Sequence, residues 1–228
     1  MIGIELLDDP HAEPAKVRRE LADIATLNSL FGGTRAVVRS LEPMFEKARG
    51  TTWTLLDIGT GLADIPRAVA RAARRYDITL RLVGIELNRS AAIAAREADG
   101  GDVALVLADG SSLPLRPRSV DIVIASQVLH HLSADVAVRW IATCHSLARR
   151  AVVLADLRRS RAAMLGVWLA GWGLGFDSVT RHDSVLSLRR GYTRSEFNAL
   201  LTAAGVPAVA HYRPLARVVA AWEPQVGP

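Results

Sequence analysis

A buried strand that runs directly into a glycine turn and a helix is the feature that most constrains this chain. Residues 52–58 are apolar with few interruptions and rich in Thr, Leu and Ile, a composition typical of buried strands. Gly59 and Gly61 then interrupt the pattern, and Pro66 stands where the first turn of a helix would begin. Glycines let a backbone approach a ligand, and a helix N-terminus offers unpaired N–H groups. The order predicts the opening unit of a nucleotide-binding α/β sheet.

The glycine turn differs from the dinucleotide-binding fingerprint. G-x-G-x-x-G requires a third glycine at the position that Asp64 occupies. The chain instead reads D-x-G-x-G, in which Asp57 precedes the first glycine by two residues. A carboxylate at the tip of this strand suits a ligand with an ammonium group better than a pyrophosphate. A purely structural glycine turn in another α/β protein is the alternative at this point.

Acidic side chains also follow the next two predicted strands. The strand over 80–86 ends in Glu86, where a carboxylate can accept hydrogen bonds from two ribose hydroxyls. The third strand is followed by Asp109 and Gly110. Because the carboxyl ends of parallel strands meet at one edge of a sheet, these carboxylates and Asp57 would project from the same edge.

Two further strands and a closing hairpin complete the pattern. Residues 120–126 and 151–156 have the apolar character of buried strands, and the stretches 206–213 and 215–222 fit an antiparallel hairpin. Strands that alternate with helical stretches predict a mostly parallel sheet with helices on both faces.

Together these motifs, with L-H-H at residues 129–131, resemble those of the class I S-adenosylmethionine (SAM)-dependent methyltransferases over about residues 50–222. The resemblance implies a Rossmann-like α/β fold, with a mostly parallel seven-stranded sheet in the order 3-2-1-4-5-7-6. It also implies a methyltransferase domain over residues 50–228, an N-terminal helical cap over residues 1–49, SAM as cofactor, and enzymatic methyl transfer.

The resemblance places the cofactor at the strand ends and turns. Glu86 would bind the SAM ribose, and Asp109 would accept a hydrogen bond from the exocyclic amine of adenine. Many family members have a third glycine where this chain has Ala63, whose methyl group would lie at the methionine end of the cofactor. The implied cofactor-binding residues are Asp57, Gly59, Thr60, Gly61, Glu86, Leu87, Asp109, Gly110 and Ser126.

Three segments outside the cofactor motifs are predicted to surround the acceptor. Helices over 13–31 and over 35–49, the second capped by Thr34, resemble a cap over a substrate cavity, although packing on the sheet explains them equally well. Residues 162–176 carry no charge and predict a helix that packs on the sheet or walls an apolar pocket, since they are too few to cross a bilayer. Residues 181–192 are expected to form a loop. The predicted acceptor-binding residues are Asn28, Phe31, Trp168, Trp172 and Arg181.

The expected chemistry follows from an activated methyl donor. A sulfonium needs little activation, so the protein mainly aligns acceptor and methyl group, and a hydroxyl acceptor benefits from a histidine base. His131 and His130 are the nearest candidates by topology, and His182 beside Asp183 is a third; a structural role is the alternative for each. Residues 181–192 also resemble a bacterial subgroup found with polyketide-type secondary metabolism. That resemblance implies a small phenolic, quinone-like or polyketide acceptor, methylated on a hydroxyl or on carbon.

Residue chemistry argues against several related activities. Pyrimidine C5 methylation needs a cysteine nucleophile, and the lone Cys144 falls within a predicted helix. Residues 126–129 lack the Asn/Asp-Pro-Pro-aromatic turn that serves exocyclic amine methylation. No carboxylate cluster follows the fourth strand, so no metal ion is expected.

Two alternatives to a small-molecule enzyme stay open. The net charge is +5 and all but two of the 28 basic residues are arginine, which motivates an RNA methyltransferase, although the scattered arginines argue against nucleic-acid binding. A non-catalytic methyltransferase-like scaffold is the second alternative. Neither a signal peptide nor a membrane span is apparent, so a cytoplasmic protein is expected. Peripheral membrane contact, a monomer and a homodimer all stay open.

Overall fold

A sheet of seven strands forms the centre of the structure, a computed structural model that describes residues 3, 5–9, 11–98 and 101–225. The strands are Thr51–Ile58 (β1), Ile78–Glu86 (β2), Val103–Leu107 (β3), Val120–Ser126 (β4), Ala148–Leu157 (β5), Ala210–Arg213 (β6) and Arg217–Trp222 (β7). Their order is β3-β2-β1-β4-β5-β7-β6, and only β7 runs antiparallel to its neighbours. The predicted fold class and strand order are confirmed.

The register of the parallel strands determines which residues meet at the carboxyl edge. β1 pairs with β2 along its whole length, with Asp57 beside Gly84, and β4 lies on the other side with Ile124 opposite Asp57. Side chains alternate along β1, so Leu55 and Leu56 enter hydrophobic clusters on opposite faces of the sheet. Burial on both faces explains the near-continuous apolar sequence of this strand.

Helices cover both faces of the sheet. In the described residues they are Pro14–Leu30 (α1), Gly33–Glu46 (α2), Asp64–Arg74 (α3), Arg89–Ala98 (α4), Ala134–Leu147 (α5), Arg161–Gly173 (α6), Ser178–Arg190 (α7) and Arg194–Ala203 (α8). α2 and α3 supply the hydrophobic cluster on the Leu55 face, and α5 and α8 supply the one on the Leu56 face. None of the helices in the described part of the chain has the length and apolarity needed to cross a bilayer.

The two N-terminal helices have different positions. Val37, Leu41 and Phe45 of α2 are fully buried in the core, so this helix packs on the sheet. α1 packs on α4 through a small cluster of its own and extends over the carboxyl edge. The predicted start of the second helix at residue 35 is wrong, because Gly32 adopts a φ of 74° as N-cap and α2 begins two residues earlier. The domain division after residue 49 stays a prediction.

The loop expected after β5 is wrong, and of the two alternatives for α6 the structure supports the pocket wall. Residues 181–192, expected to form a loop, belong largely to α7, because the Asp177 side chain accepts hydrogen bonds from the N–H groups of Val179 and Thr180 and starts a helix. α6, expected to pack on the sheet or to wall a pocket, packs mainly against α7. One stripe of α6 faces the cavity described below, and another is exposed.

Candidate active site

A cavity of about 730 Å³ opens at the carboxyl edge of β1, β2 and β4, below α1. It is lined by every residue that sequence analysis assigned to the cofactor, and these meet because the parallel strands end together. Asn28 of α1, Phe31 directly after it and the histidines 130 and 131 also line it. The cavity therefore joins the predicted cofactor end to most of the predicted acceptor end.

The tip of β1 carries a buried carboxyl group. Thr60 donates a hydrogen bond from Oγ1 to Asp57 Oδ2 at 2.8 Å. Burial raises the pKa of Asp57 to about 8, and the negative charges of Asp64 and Glu86 add to this effect, while the Thr60 hydrogen bond opposes it. An ammonium group placed here would favour the charged carboxylate.

Glu86 ties the glycine turn to the end of β2. Its Oε2 accepts a hydrogen bond from the Gly61 N–H, and its Oε1 accepts one from the Asn88 N–H, both at 3.0 Å. Gly59 has a φ of 73°, and a Cβ there would lie 2.5 Å from Cγ2 of Val128. Glycine is therefore required at this turn for both backbone conformation and space.

The ends of β3 and β4 supply a more open part of the cavity. Asp109 is exposed and accepts a hydrogen bond from the Ser111 N–H at 2.8 Å, which holds the pKa of its carboxyl below the usual range. A Cβ on Gly110 would overlap Ile58. Ser126 Oγ is buried at the end of β4 and has no hydrogen-bond partner among the described residues. Both carboxylate and hydroxyl can accept hydrogen bonds from a ligand.

Asn28 links α1 to the cofactor end. It donates from Nδ2 to Asp64 Oδ2 at 3.3 Å and accepts from Gln127 Nε2 at 2.7 Å. The expectation for Ala63 is not met: its backbone is left-handed with a φ of 57°, but its methyl group packs in the core and does not line the cavity. The departure from the family glycine therefore leaves the cofactor space unchanged.

Two carboxylates orient the adjacent histidines. His130 Nδ1 lies 2.7 Å from Asp156 Oδ1, and its backbone N–H donates to the same carboxylate, so this buried ring is held firmly. His131 Nδ1 lies 2.7 Å from Asp8 Oδ1. Burial lowers the pKa of His131, but the Asp8 hydrogen bond and nearby negative charges outweigh it, and its net pKa is above the ordinary value.

Glu5 lies between the two histidines. Its carboxylate oxygens are 3.9 Å from the Nε2 atoms of His130 and His131. The three ligand atoms lie within 4.8 Å of one another, so this group could hold a metal ion. The carboxylate is already bound by Arg190 Nη1 at 3.1 Å and by Ser187 Oγ at 2.8 Å. Those contacts account for its burial without a metal ion.

The floor of the acceptor end is acidic. Glu20 is only 3% exposed, and its Oε2 has no hydrogen-bond partner among the described residues. Burial, followed by the charges of Asp183 and Glu5, raises the pKa of Glu20 to about 8. Asp183 Oδ2 accepts a hydrogen bond from the Leu6 N–H at 2.7 Å. Sequence analysis gave Glu20 no role and named Asp183 only as a neighbour of His182, since no local pattern joins the N-terminus, α1 and α7.

Four predicted site residues lie outside the cavity. Trp168 and Trp172 are exposed on the outer face of α6. Arg181 stacks on Trp172, with 4.0 Å from Cζ to the ring centroid, and donates to the Phe176 carbonyl. His182 is exposed on α7. For Arg181 and His182 the reason is the helical conformation of 178–190, which directs Asp183 toward the cavity and these two side chains away from it.

Comparison with known proteins agrees with this geometry. Residues 56–155 match the family model described as "Methyltransferase domain". No curated protein matches the chain. Among solved structures, a SAM-dependent methyltransferase from Aquifex aeolicus is 13% identical with a TM-score of 0.62, over 93% of this chain and 99% of that one.

Two larger enzymes share the fold. Human N-acetylserotonin methyltransferase in complex with SAM is 11% identical with a TM-score of 0.64, over 94% of this chain and 57% of that one. The mitomycin 7-O-methyltransferase MmcR is 21% identical with a TM-score of 0.64, over 97% of this chain and 61% of that one. The chain thus spans about three fifths of these two proteins.

Fold, family match and site agree with one another. Residues 56–155 match a methyltransferase domain, and the chain has the fold of SAM-dependent methyltransferases of known structure.

Proposed function

We propose that this enzyme methylates a small apolar acceptor, a phenolic, quinone-like or polyketide compound, on a hydroxyl or on carbon. The supporting observation is a single cavity with the predicted cofactor residues at one end and the His131–Asp8 pair at the other. SAM, when bound, supplies an activated methyl group. The protein then has to align the acceptor with that group and exclude water, which α1 favours by covering the cavity.

The cofactor end is proposed to recognise SAM through its polar groups. Glu86 would accept hydrogen bonds from the ribose hydroxyls, Asp109 one from the adenine amine, and Asp57 would pair with the ammonium group. The buried Ser126 hydroxyl supports this proposal, because a buried polar group without a protein partner is costly unless a ligand or water satisfies it.

His131 is proposed to be the general base for a hydroxyl acceptor. Asp8 accepts the Nδ1 proton, which leaves the Nε2 lone pair free inside the cavity to take the hydroxyl proton as the methyl group transfers. His130 is tied to Asp156 through both ring and backbone, so its proposed role is to position the turn that carries His131.

The acidic floor argues against an RNA acceptor. Glu5 and Asp183 line the cavity beside Glu20, which is largely protonated near pH 7, and a phosphate backbone would be repelled by the two ionised carboxylates. A small acceptor that presents no negative charge to this floor fits better.

Three measurements test the proposal. Calorimetric titration with S-adenosylhomocysteine (SAH) tests cofactor binding, and an acceptor screen with labelled SAM against phenols, quinones and polyketide pyrones tests transfer. His131→Ala is expected to reduce turnover by about 10²–10⁴-fold while leaving SAH affinity within twofold. His182→Ala is the matched control, because this histidine lies outside the cavity, and it is expected to retain turnover.

The pH profile separates a base from a merely structural histidine. The base must be unprotonated, so the rate is expected to rise with pH through the pKa of His131. Asp8→Asn removes the hydrogen bond that raises this pKa and is expected to move the rise to lower pH. Normal turnover of His131→Ala across the pH range would refute the assignment.

A further inference from the structure

One face of α6 presents large apolar side chains to solvent. Leu165, Trp168, Leu169, Trp172 and Leu174 are between 42% and 60% exposed. The other tryptophans of the chain, Trp53, Trp140 and Trp222, are buried. Single exposed apolar residues are ordinary, but a contiguous patch marks an interaction surface. We call these five exposed residues the α6 face.

The opposite side of the same helix belongs to the cavity. Ala163, Gly166 and Val167 line it, at the i, i+3 and i+4 spacing of one helical stripe. Gly171 packs against Arg181 and Phe176 of the neighbouring segment. α6 therefore separates the cavity from whatever covers the α6 face.

The charges beside the α6 face are positive. Arg158, Arg159 and Arg161 precede or begin the helix, and no acidic residue occurs in residues 157–176, although Arg159 is paired with Glu196. Arg158 and Arg161 are exposed. Exposed tryptophans beside arginines are the composition of helices that lie in the headgroup region of an anionic membrane, where each basic residue adds to the attraction.

We propose that the α6 face docks this protein on an anionic membrane surface. A second copy of the chain is the less suitable occupant on size. An aromatic side chain presents ~150–250 Å² when fully exposed, so five partly exposed residues offer on the order of a few hundred Å². A standard protein interface needs roughly 800 Å² from each partner.

The proposal is independent of the reaction, so its test uses binding alone. Protein without an affinity tag is floated with vesicles of phosphatidylcholine and phosphatidylglycerol (7:3), and with vesicles of phosphatidylcholine only. Flotation with the anionic vesicles and a blue shift of tryptophan emission are expected, with at least tenfold weaker binding to the neutral vesicles. Added salt should weaken the binding.

Matched variants assign the binding to the α6 face. The double variant Trp168→Ser/Trp172→Ser and the variant Arg161→Glu are each expected to weaken anionic vesicle binding at least tenfold. Val209→Ser and Arg74→Glu change an exposed apolar residue and an exposed arginine elsewhere, and both are expected to bind as the parent does. SAH titration and thermal melting confirm that every variant is folded.

Three results would overturn the proposal. The first is no flotation with either vesicle, and the second is flotation that survives the tryptophan double variant. The third is a parent protein that is dimeric in sedimentation equilibrium and binds no vesicles, together with a tryptophan double variant that is monomeric. That result would assign the α6 face to a second copy of the chain. Loss of methyl transfer alone would leave the docking result unchanged, so the two proposals fail separately.

Discussion

The buried carboxyl group of Asp57 should make cofactor affinity depend on pH. Burial raises the pKa of Asp57 to about 8, so the group is largely protonated at pH 6. The ammonium group of SAH, placed against it, would favour the ionised form and lower the pKa in the complex. Binding at low pH must therefore displace a proton from Asp57, and the free energy of that step opposes binding.

The size of the effect follows from the pKa. With a value of about 8 in the free protein and an ordinary value in the complex, affinity falls about tenfold for each pH unit below 8. Between pH 8 and pH 6 the Kd for SAH should rise about fifty-fold, which corresponds to about 2.3 kcal/mol. About one proton should be released per SAH bound near pH 6.5.

Calorimetry at several pH values, in buffers of different ionisation enthalpy, measures both the Kd and the released proton. Asp57→Asn should bind SAH weakly at every pH, with a flat profile. Glu20→Gln is the control, because Glu20 also lines the cavity and its pKa is also raised to about 8. A Kd that is constant between pH 6 and pH 8 would refute the reasoning. So would a pH dependence of the Kd that persists in Asp57→Asn and disappears in Glu20→Gln.

Two further predictions concern stability and the glycine turn. Because the folded-state pKa of Glu20 lies above its ordinary value of 4.5, stability should decline as pH rises from about 4.5 through 8. Glu20→Gln should remove up to about 5 kcal/mol of that decline in unfolding free energy. Thermal melting at pH 5 and pH 9 measures the effect. Glu13→Gln is the control, because Glu13 is exposed. Ala63→Gly should leave the Kd for SAH within twofold, because the methyl group of Ala63 packs in the core. A tenfold change in this Kd, measured by calorimetry, would instead indicate that the methyl group contacts the cofactor.

The residues at the predicted cofactor end of the cavity could be predicted because each belongs to a short sequence motif. Each functional group stands at the end of an apolar strand and beside a turn residue, as Asp57 precedes Gly59 and Asp109 precedes Gly110. Parallel pairing then brings the strand ends together without any further information from the sequence. The parallel sheet and the placement of these residues in the cavity follow from that pattern, whereas the strand order is implied by the resemblance to the methyltransferase family.

The acceptor end could not be predicted in the same way. The Asp8–His131 contact joins residues 123 positions apart, and Leu6 reaches Asp183 across 177 positions. Such pairs leave no periodicity in the sequence. α6 illustrates a second difficulty: apolar residues occur all around the helix, so the pattern predicted a helix but gave no sign of which face would be exposed.

The residues that local sequence motifs predict and the residues that depend on long-range contacts occupy different parts of the chain. The predicted cofactor residues fall between Asp57 and Ser126, inside the segment that matches the methyltransferase family. Three groups near the histidines, Glu5, Asp8 and Arg190, come from before or after that segment. Because Arg190 holds Glu5 and Asp8 together, the N-terminal turn and α7 must be in place before His131 has its partner. Changes in the flanking segments should therefore alter the surroundings of His131 and leave the strand-end residues in place.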